Sequence, residues 1–474
     1  MARKKKDINI REVSSTPAII DEKETDIYLN NEVKNYGIYV ITTRALPNIM
    51  DGLRIGARKI VYAAMIGKLK KSVKEKMPVL IGNTMELEFH HGEMSLKNTI
   101  EQLSSSHLYE YCPLVTIGQT GTLRVPDVQT AARYLSVSKS KNIDLYKPDL
   151  DILKFNFEDN KFTEPKYFLP IIPLTLLWRT NSPGFGFSFR SFSHDINDVI
   201  DATLTSLITG SCNELNYVEI KPSILGISDE NIIYNASKNT YYNVGEYQII
   251  DNTLVINDLP YNISYAKFEK HLIELKESNY IYDFRNMTKK GVIKYIITFP
   301  KGKLEFLLKE KWKFFTKMKL FTKIPKLTLN TIDIDGKSIV NFNSTQEFVD
   351  GFVRRRLKFY NDRKTLLVSN IEKRIFDLSD KAKFIQLVVD EKLKINKRKI
   401  VDIKVDCDTF GVSYEGLKLS ISKMTKDEID KALFEINELK AELDYIKNST
   451  TRELYIRDLI NLKEQVSVIN KVKI

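Results

Sequence analysis

AARYLS, residues 131–136, is the stretch on which the reading of this 474-residue chain turns. It sets Tyr134 directly after Arg133, and it follows two unusual segments, FHHGE at residues 89–93 and PLVTIGQTGTLRVPD at residues 113–127. A phenol has a reference pKa of about 10 and is a poor nucleophile at neutral pH, so a working tyrosine needs positive charge beside it. Arg133 can supply that charge, and it can offset the negative charge that gathers on phosphoryl oxygens during phosphoryl transfer. An Arg-Tyr pair means little by itself in a chain with 23 tyrosines, most of which are packing residues. Its weight comes from the ordered segments around it.

The totals bound the rest. A chain of this length is too long for one ordinary core, and 43% hydrophobic with 28% charged residues is a normal soluble composition, so roughly two to four packed units are expected. The formal net charge of +12 suits a polyanion, although a solvated basic face accounts for it equally well. Cys112, Cys212 and Cys407 form neither CxxC pairs nor a disulfide framework, which predicts a reducing, cytoplasmic setting. The longest apolar stretch, residues 168–178, is broken by Pro170 and Pro173 and is far shorter than the roughly 20 residues of a spanning helix. No membrane partner is therefore expected. The opening MARKKK lacks the apolar core of a secretory signal, and residues 1–25 read as a basic flexible arm.

Periodicity divides the chain beyond residue 25. Residues 26–141 suggest short helices, with one over residues 56–69 whose Ile60, Val61, Ala64 and Met65 share a face. Arg54, Arg58 and Lys59 lie on or beside that helix, where basic side chains can grip phosphates. Strand-like alternation runs over residues 228–299, interrupted by a helical stretch near residues 265–276. In the last third, Ser344 with Glu347 and Thr425 with Glu428 read as capping boxes. Phe352, Phe359 and Leu366 recur at heptad spacing, as do Ile371, Leu378 and Ile385 after a phase shift. Ile429, Ala432, Ile436, Leu439, Leu443 and Ile446 keep the same rhythm, which predicts two long antiparallel helices with a small knob over residues 392–423.

RALPNIMDGLRIGARKIVY at residues 44–62, then FHHGE, IGQTGT and AARYLS in that order, closely resemble the DNA breakage-and-reunion core of type IIA DNA topoisomerases. The chain is most similar to the medium subunit of the multi-subunit phage enzymes. The resemblance implies an α+β multidomain fold: a winged-helix DNA-binding domain over residues 26–145 carrying the catalytic tyrosine, an α/β tower domain over residues 146–340, and a long antiparallel coiled coil over residues 341–474 ending in a C-terminal dimer gate. It implies that Tyr134 is the strand-cleaving nucleophile, assisted by Arg133. It places Arg54, Arg58, Lys59, Phe89, His90, His91, Ser95 and Gln119 at the DNA.

SPGFGFSF at residues 182–189 matches the family segment that wedges an isoleucine between bases of bent DNA, and Phe185 stands in its place here. Arg54-Ile55 in place of the usual Lys-Pro is a second departure.

No metal site is expected on this chain. His90 and His91 are adjacent, so on a strand they would point to opposite faces. Asp333 and Asp335 in TIDIDGKS read as a turn, and the Walker-like Gly336, Lys337 and Ser338 fail because Thr331 takes the place of the first glycine. The resemblance therefore implies that Mg2+ arrives through the Toprim domain of a partner large subunit, which also binds ATP. Two copies of each chain would then act on double-stranded DNA as a heterotetramer, the present chain forming a homodimer through its gate. With no long DNA-wrapping domain in sight, relaxation and decatenation are expected without negative supercoiling. The alternative is a non-catalytic basic coiled-coil DNA-binding architectural protein, which explains the charge and the heptads but not the ordered motifs. A tyrosine recombinase or a type IIB enzyme is a further rival.

Overall fold

A computed structural model describes residues 24–67, 69, 74–125, 128–212, 220–289, 292–395, 398–418 and 424–471. The basic arm expected at residues 1–25 lies, through residue 23, outside them. Residues 25–45 form one unbroken helical run with some wider π-type turns, and it ends where Leu46 turns extended ahead of Pro47.

The turn after Pro47 is built from its own side chains. Asn48 Oδ1 accepts from the Met50 amide at 2.9 Å and Asp51 Oδ1 from the Leu53 amide at 3.0 Å. Gly52 has φ +68°, and a Cβ there would lie 2.9 Å from the Thr175 Cα, so this position excludes any side chain. The turn feeds the helix Ile55–Ile66, whose Ile60, Val61 and Ala64 are fully buried. Met65 is only half-buried, and the helix stops before the expected residue 69 because Gly67 adopts an extended ψ of 175°.

That helix packs with Met77–Met85 and Glu93–Leu103 against a three-stranded antiparallel sheet of Glu75–Lys76, Leu114–Ile117 and Ser136–Lys139. The last strand lies in the centre, pairing Val137 with Glu75 on one side and with Thr116 on the other. The hairpin of Phe155–Glu158 and Lys161–Pro165 lies against the helix Ile55–Ile66.

A four-stranded antiparallel sheet joins Thr180–Pro183 and Ser188–Ser191 to Thr328–Ile332 and Ile339–Phe342. The chain leaves this sheet after Ser191 and returns at Thr328. In between, the helix Ile196–Thr209 packs into the main body, while residues 254–320 build a core of their own from one sheet and the helices Tyr265–Glu277, Lys303–Leu308 and Lys311–Lys317. The strands expected over residues 228–299 and the helix expected near residues 265–276 are both present. The expected division at 145/146 does not coincide with a break in packing, because Leu135, Tyr146, Leu153 and Phe168 belong to one apolar core that also takes in Leu329 and Tyr455.

The last third is helical. Ser344 Oγ accepts from the Glu347 amide at 3.1 Å, as its box predicts, while Glu347 reaches back to the Asn343 amide at 2.8 Å. Thr345–Lys358 leads, through Phe359, into the 30-residue helix Tyr360–Val389. Lys426–Asn448 returns antiparallel to it, with Glu428, Glu435 and Lys447 facing Lys381, Arg374 and Glu372 in reverse order. Ile429, Ala432, Ile436 and Ile446 are buried, with Leu439 and Leu443 packed beside them, which is the predicted stripe. The Thr425 side chain makes no cap, the Glu428 amide donating instead to the Thr425 carbonyl at 3.2 Å, and the Glu428 carboxylate is drawn to Lys431 and Lys381. At the knob, Ile400–Phe410 closes a small core of Phe384, Leu393, Ile403, Cys407 and Val412.

A further reciprocal box starts the final helix Thr451–Lys471: Thr450 Oγ1 accepts from the Glu453 amide at 3.2 Å and Glu453 Oε2 from the Thr450 amide at 2.7 Å. This helix sends Leu454, Tyr455, Leu459 and Leu462 back into the main core. The junction is charged as well as apolar. Asp149, held at φ +61°, receives both Arg356 and Arg363, and Arg363 also meets Asp458 at 3.0 Å. Tyr360 stacks on Tyr455 with centroids 4.5 Å apart, and the Tyr455 hydroxyl donates to the Ile171 carbonyl at 2.6 Å.

Candidate nucleic-acid interface

A groove of about 720 Å³ runs between the first helix, the start of Ile55–Ile66, the FHHGE turn and the hairpin of residues 155–165. It gathers Arg54, Lys59, Phe89, His90, His91 and Ser95, six of the residues expected at DNA, although they span residues 54–95. Gly56 lets this happen: a Cβ there would lie 3.2 Å from the Phe89 ring, so a small residue allows the aromatic to sit over the helix start. His91 then meets Phe89 edge-on with centroids 5.3 Å apart. Ser95 stands exposed in the first turn of Glu93–Leu103, where it lines the groove with its amide donating to the Gly92 carbonyl at 3.0 Å.

The charges of the groove are largely committed. His90 Nε2 lies 2.8 Å from Glu158 Oε1, with both side chains well exposed. Lys59 is buried, pairs with Glu164 at 2.7 Å, and donates to the Leu87 carbonyl just ahead of the FHHGE turn. It therefore buttresses the floor of the groove. Glu164 also accepts from Asn156 Nδ2 at 2.7 Å. Glu88 is paired with Lys161, whose hydrogen bond holds its carboxyl below the usual carboxylate range.

Arg58 does not line the groove. It is buried, with Nε 2.6 Å from Asp51 Oδ2 and Nη2 donating to the Leu53 carbonyl at 2.8 Å. Burial opposes its charge, but the Asp51 carboxylate outweighs that and raises its pKa. A guanidinium committed in this way holds the DGL turn in place and leaves no donor face for a phosphate. Arg54 is half-buried, and desolvation alone lowers its pKa. The structure adds Arg44 and Tyr39 to the groove wall, with the Arg44 guanidinium 5.3 Å from the Tyr39 ring centroid. Arg44 opens the RALP segment, so the motif carried the signal without specifying a role for it.

Tyr134 does not line this groove in its own chain. It stands 66% exposed on the short turn Ala132–Tyr134. Its seat is firm: Leu135 is fully buried, and its carbonyl accepts from the Met77 amide at 3.0 Å. Arg133 is exposed, and its guanidinium lies 4.9 Å from the centroid of the Tyr134 ring, over the face of the phenol. The Gln119 side chain is exposed, and the Gln119 backbone carbonyl accepts from Thr130 Oγ1 at 2.7 Å. Neighbouring Gly118 has φ +132°, and a Cβ there would meet Leu135 at 2.7 Å, so the GQTG loop presses directly on the tyrosine's seat. Phe185 is 52% exposed and covers Gly37, where a Cβ would lie 2.7 Å from its ring.

Asp335 behaves as a turn residue, accepting from the Lys337 and Ser338 amides at 2.9 and 2.8 Å, and these bonds with the Ser338 hydroxyl pull its carboxyl down to about 2. Asp333 is held by Arg355 at 2.5 and 2.7 Å. Among the described residues, no helix is long and apolar enough to cross a membrane.

Known proteins resemble the chain over nearly all of this architecture. It is 27% identical over 466 residues to the mitochondrial DNA topoisomerase 2 of Dictyostelium discoideum, covering 94% of this chain and 35% of that protein. It is 23% identical over 470 residues to the DNA topoisomerase 2 of Invertebrate iridescent virus 6, covering 94% of this chain and 39% of that one. The chain thus spans little more than a third of the curated relatives it matches. Its α+β fold is that of the crystal structure of the Plasmodium falciparum topoisomerase II DNA-binding, cleavage and re-ligation domain, with a TM-score of 0.76 at 24% identity over 94% of this chain and 65% of that one. The DNA gyrase/topoisomerase IV A-subunit family matches residues 44–463, and with nearly the whole chain inside that match, this protein belongs to that family.

Proposed function

We propose that this chain is the DNA-cleaving and rejoining subunit of an ATP-dependent type IIA topoisomerase, with Tyr134 as its nucleophile. The observation that carries the reading is the pairing of a firmly seated, exposed Tyr134–Arg133 unit with a groove that unites Arg44, Arg54, Phe89, His90, His91 and Ser95, in a chain of this family. In this reading residues 26–145 act as the winged-helix domain, residues 146–340 as the tower, and residues 341–474 as the coiled coil with its dimer gate.

The chemistry is a reversible ester exchange. The Tyr134 hydroxyl loses its proton and its oxygen attacks phosphorus. A bond forms to the 5′ side of the break, the bond from phosphorus to the 3′ oxygen breaks, and that oxygen takes up a proton. The phosphotyrosyl ester keeps the bond energy, so attack by the 3′ hydroxyl reseals the strand without a high-energy cofactor. Arg133, over the phenol face, and Arg54, in the groove, supply positive charge against the phosphoryl oxygens. Two copies would each cut one strand, opening a duplex through which another passes.

Magnesium and ATP are assigned to a partner protein carrying the Toprim domain and the ATPase. Among the described residues no three His, Cys, Asp or Glu side chains converge. The groove's carboxylates are engaged with His90, Lys59 and Lys161. The described residues of the groove thus offer no ready set of cation ligands, and this reading takes the divalent cation from the partner. The test is a plasmid cleavage assay with the two polypeptides, magnesium and ATP, each omitted in turn. Tyr134→Phe should still bind DNA but leave no protein attached to broken duplex after a denaturing quench. A covalent adduct formed by that variant overturns the nucleophile assignment.

A further inference from the structure

Most of the chain's excess positive charge lies outside the groove. Residues 301–326 hold nine lysines and two glutamates, and nine minus two is +7 of the total +12. Burial of apolar surface explains why Phe314, Phe315, Met318 and Leu320 alternate with them, since these four side chains are buried. It does not explain Trp312, which is 54% exposed on the helix Lys311–Lys317. An indole left half in water forgoes much of the stabilisation that its area could give.

Trp312 forms one wall of a second cleft, of about 880 Å³, on the excursion between the four-stranded sheet's two halves. Its ring lies 5.0 Å from Phe321, which in turn stacks on Tyr242 at 4.6 Å with only 15° between the planes. Tyr234, 49% exposed, faces the same space. Lysines line this aromatic floor, among them Lys238, Lys313 and Lys317. Of these, Lys313 pairs with Glu310, with both side chains largely in solvent, so its charge remains available to an anion. Flat aromatic faces beside several cations match a ligand with flat rings on an anionic thread. Duplex DNA offers the thread but hides its base faces in the stack, whereas an unpaired strand offers both.

We propose that the cleft of Trp312, Tyr242 and Phe321 binds an unpaired DNA strand, with bases stacked on the exposed Trp312 and Tyr234 and phosphates on the lysines around them. The site is separate from Tyr134 and involves no covalent step, so it stands or falls independently of the cleavage reading.

The chain supplies its own reporter, because its two tryptophans are Trp312 and Trp178, and Trp178 is buried in the main core. An oligothymidylate of about 12 nucleotides, a length within the usual range of such sites, should quench the intact chain's fluorescence saturably. Tyr134→Phe should respond identically. Trp312→Ala should lower affinity for the labelled oligonucleotide roughly tenfold or more in anisotropy, while Trp312→Phe should keep most of the affinity and lose the signal. Replacing Lys313 and Lys317 with alanine together should flatten the plot of log affinity against log salt by about 1.4, at about 0.7 per phosphate contact on a single strand. Equal quenching by a duplex of the same length, or by a polyglutamate peptide, overturns the proposal. So does an unchanged affinity in both Trp312 variants.

Discussion

Asp149→Asn tests whether the junction between the helical third and the main body rests on charge. Asp149 is 1% exposed in its side chain, and it receives Arg356, at 0%, and Arg363, at 18%. Asparagine keeps the shape and tolerates the left-handed φ of +61°, so the substitution removes charge and little else. Arg363 retains Asp458 at 3.0 Å, and the loss therefore falls mainly on Arg356. That guanidinium would be left with the Pro170 carbonyl at 3.0 Å and the Tyr360 ring at 4.7 Å, and its Nη1 already lacks a partner. Removing one member of a buried pair costs roughly 3–5 kcal/mol, because the other charge stays desolvated. Against a usual folding stability of about 5–15 kcal/mol this is a large share. The assay is urea unfolding, with Glu435→Gln as control, since the exposed Arg374–Glu435 pair should contribute no more than about 1 kcal/mol. Adding Arg356→Met to Asp149→Asn should recover much of the loss by removing the stranded charge. A cost for Asp149→Asn no larger than the control's, with no recovery in the double variant, would refute the reasoning.

Other expectations rest on single positions. Burial lowers the pKa of His194 to about 4, with its Nδ1 2.8 Å from the Lys221 carbonyl. The unfolded chain, with a His pKa near 6.5, takes up that proton first, so stability should fall as pH drops from about 6.5 to about 4, by at most about 1.4 kcal/mol per pH unit. His194→Asn should flatten this slope in urea titrations, and an unchanged slope would exclude His194 as its source. Gly52→Ala should cost more than Gly186→Ala: both have positive φ, worth about 1–2 kcal/mol of strain, but only at Gly52 would the new Cβ strike backbone, at 2.9 Å. Equal thermal shifts would show that contact to be irrelevant. Ser344→Ala should cost about 1 kcal/mol while Thr425→Ala costs little, because only Ser344 caps its helix. Equal losses would contradict that difference.

How much of this was legible in the sequence depended on whether a signal was local. The stripe on residues 429–446, the helix near residues 265–276 and the Asp335 turn were readable because each arises from spacing or from one side chain reaching its own backbone. The Thr425 box failed for the complementary reason. Glu428 had nearby lysines to bind, one of them, Lys381, on the opposing helix, and a motif of four residues carries no information about them. Arg58 illustrates the same limit at the site. Its position on a basic helix suggested a phosphate contact, but Asp51, seven residues earlier across the turn, draws it into the core. Gly351 was equally silent: in mid-helix it looks like a weak point, yet a Cβ there would lie 2.4 Å from the Phe342 ring. The groove was readable as a set of residues only through family resemblance, since nothing in spacing brings Arg54 to His91.

Net charge shows why such a set must be built from contacts. A total of +12 invites the inference that the groove is the basic surface, but the groove sets Glu88, Glu158 and Glu164 against Arg44, Arg54 and Lys59, as many carboxylates as arginines and lysines. Among the described residues, Arg44 and Arg54 are the groove arginines that meet no carboxylate; Arg44 lies exposed beside the Tyr39 ring, whereas Arg54 is half-buried and desolvated by that burial. A guanidinium desolvated as Arg54 is binds a phosphate more strongly per charge than a solvated lysine, because water competes less for it. The lysines of residues 301–326 are in the opposite condition, mostly exposed and strongly screened by salt. One region is therefore built to hold a phosphate at a defined point and the other to attract a strand over some length. Salt should separate them: raising it ought to weaken binding at the lysine cleft well before it weakens cleavage at Tyr134, and a parallel loss of both would mean that the two surfaces act as one.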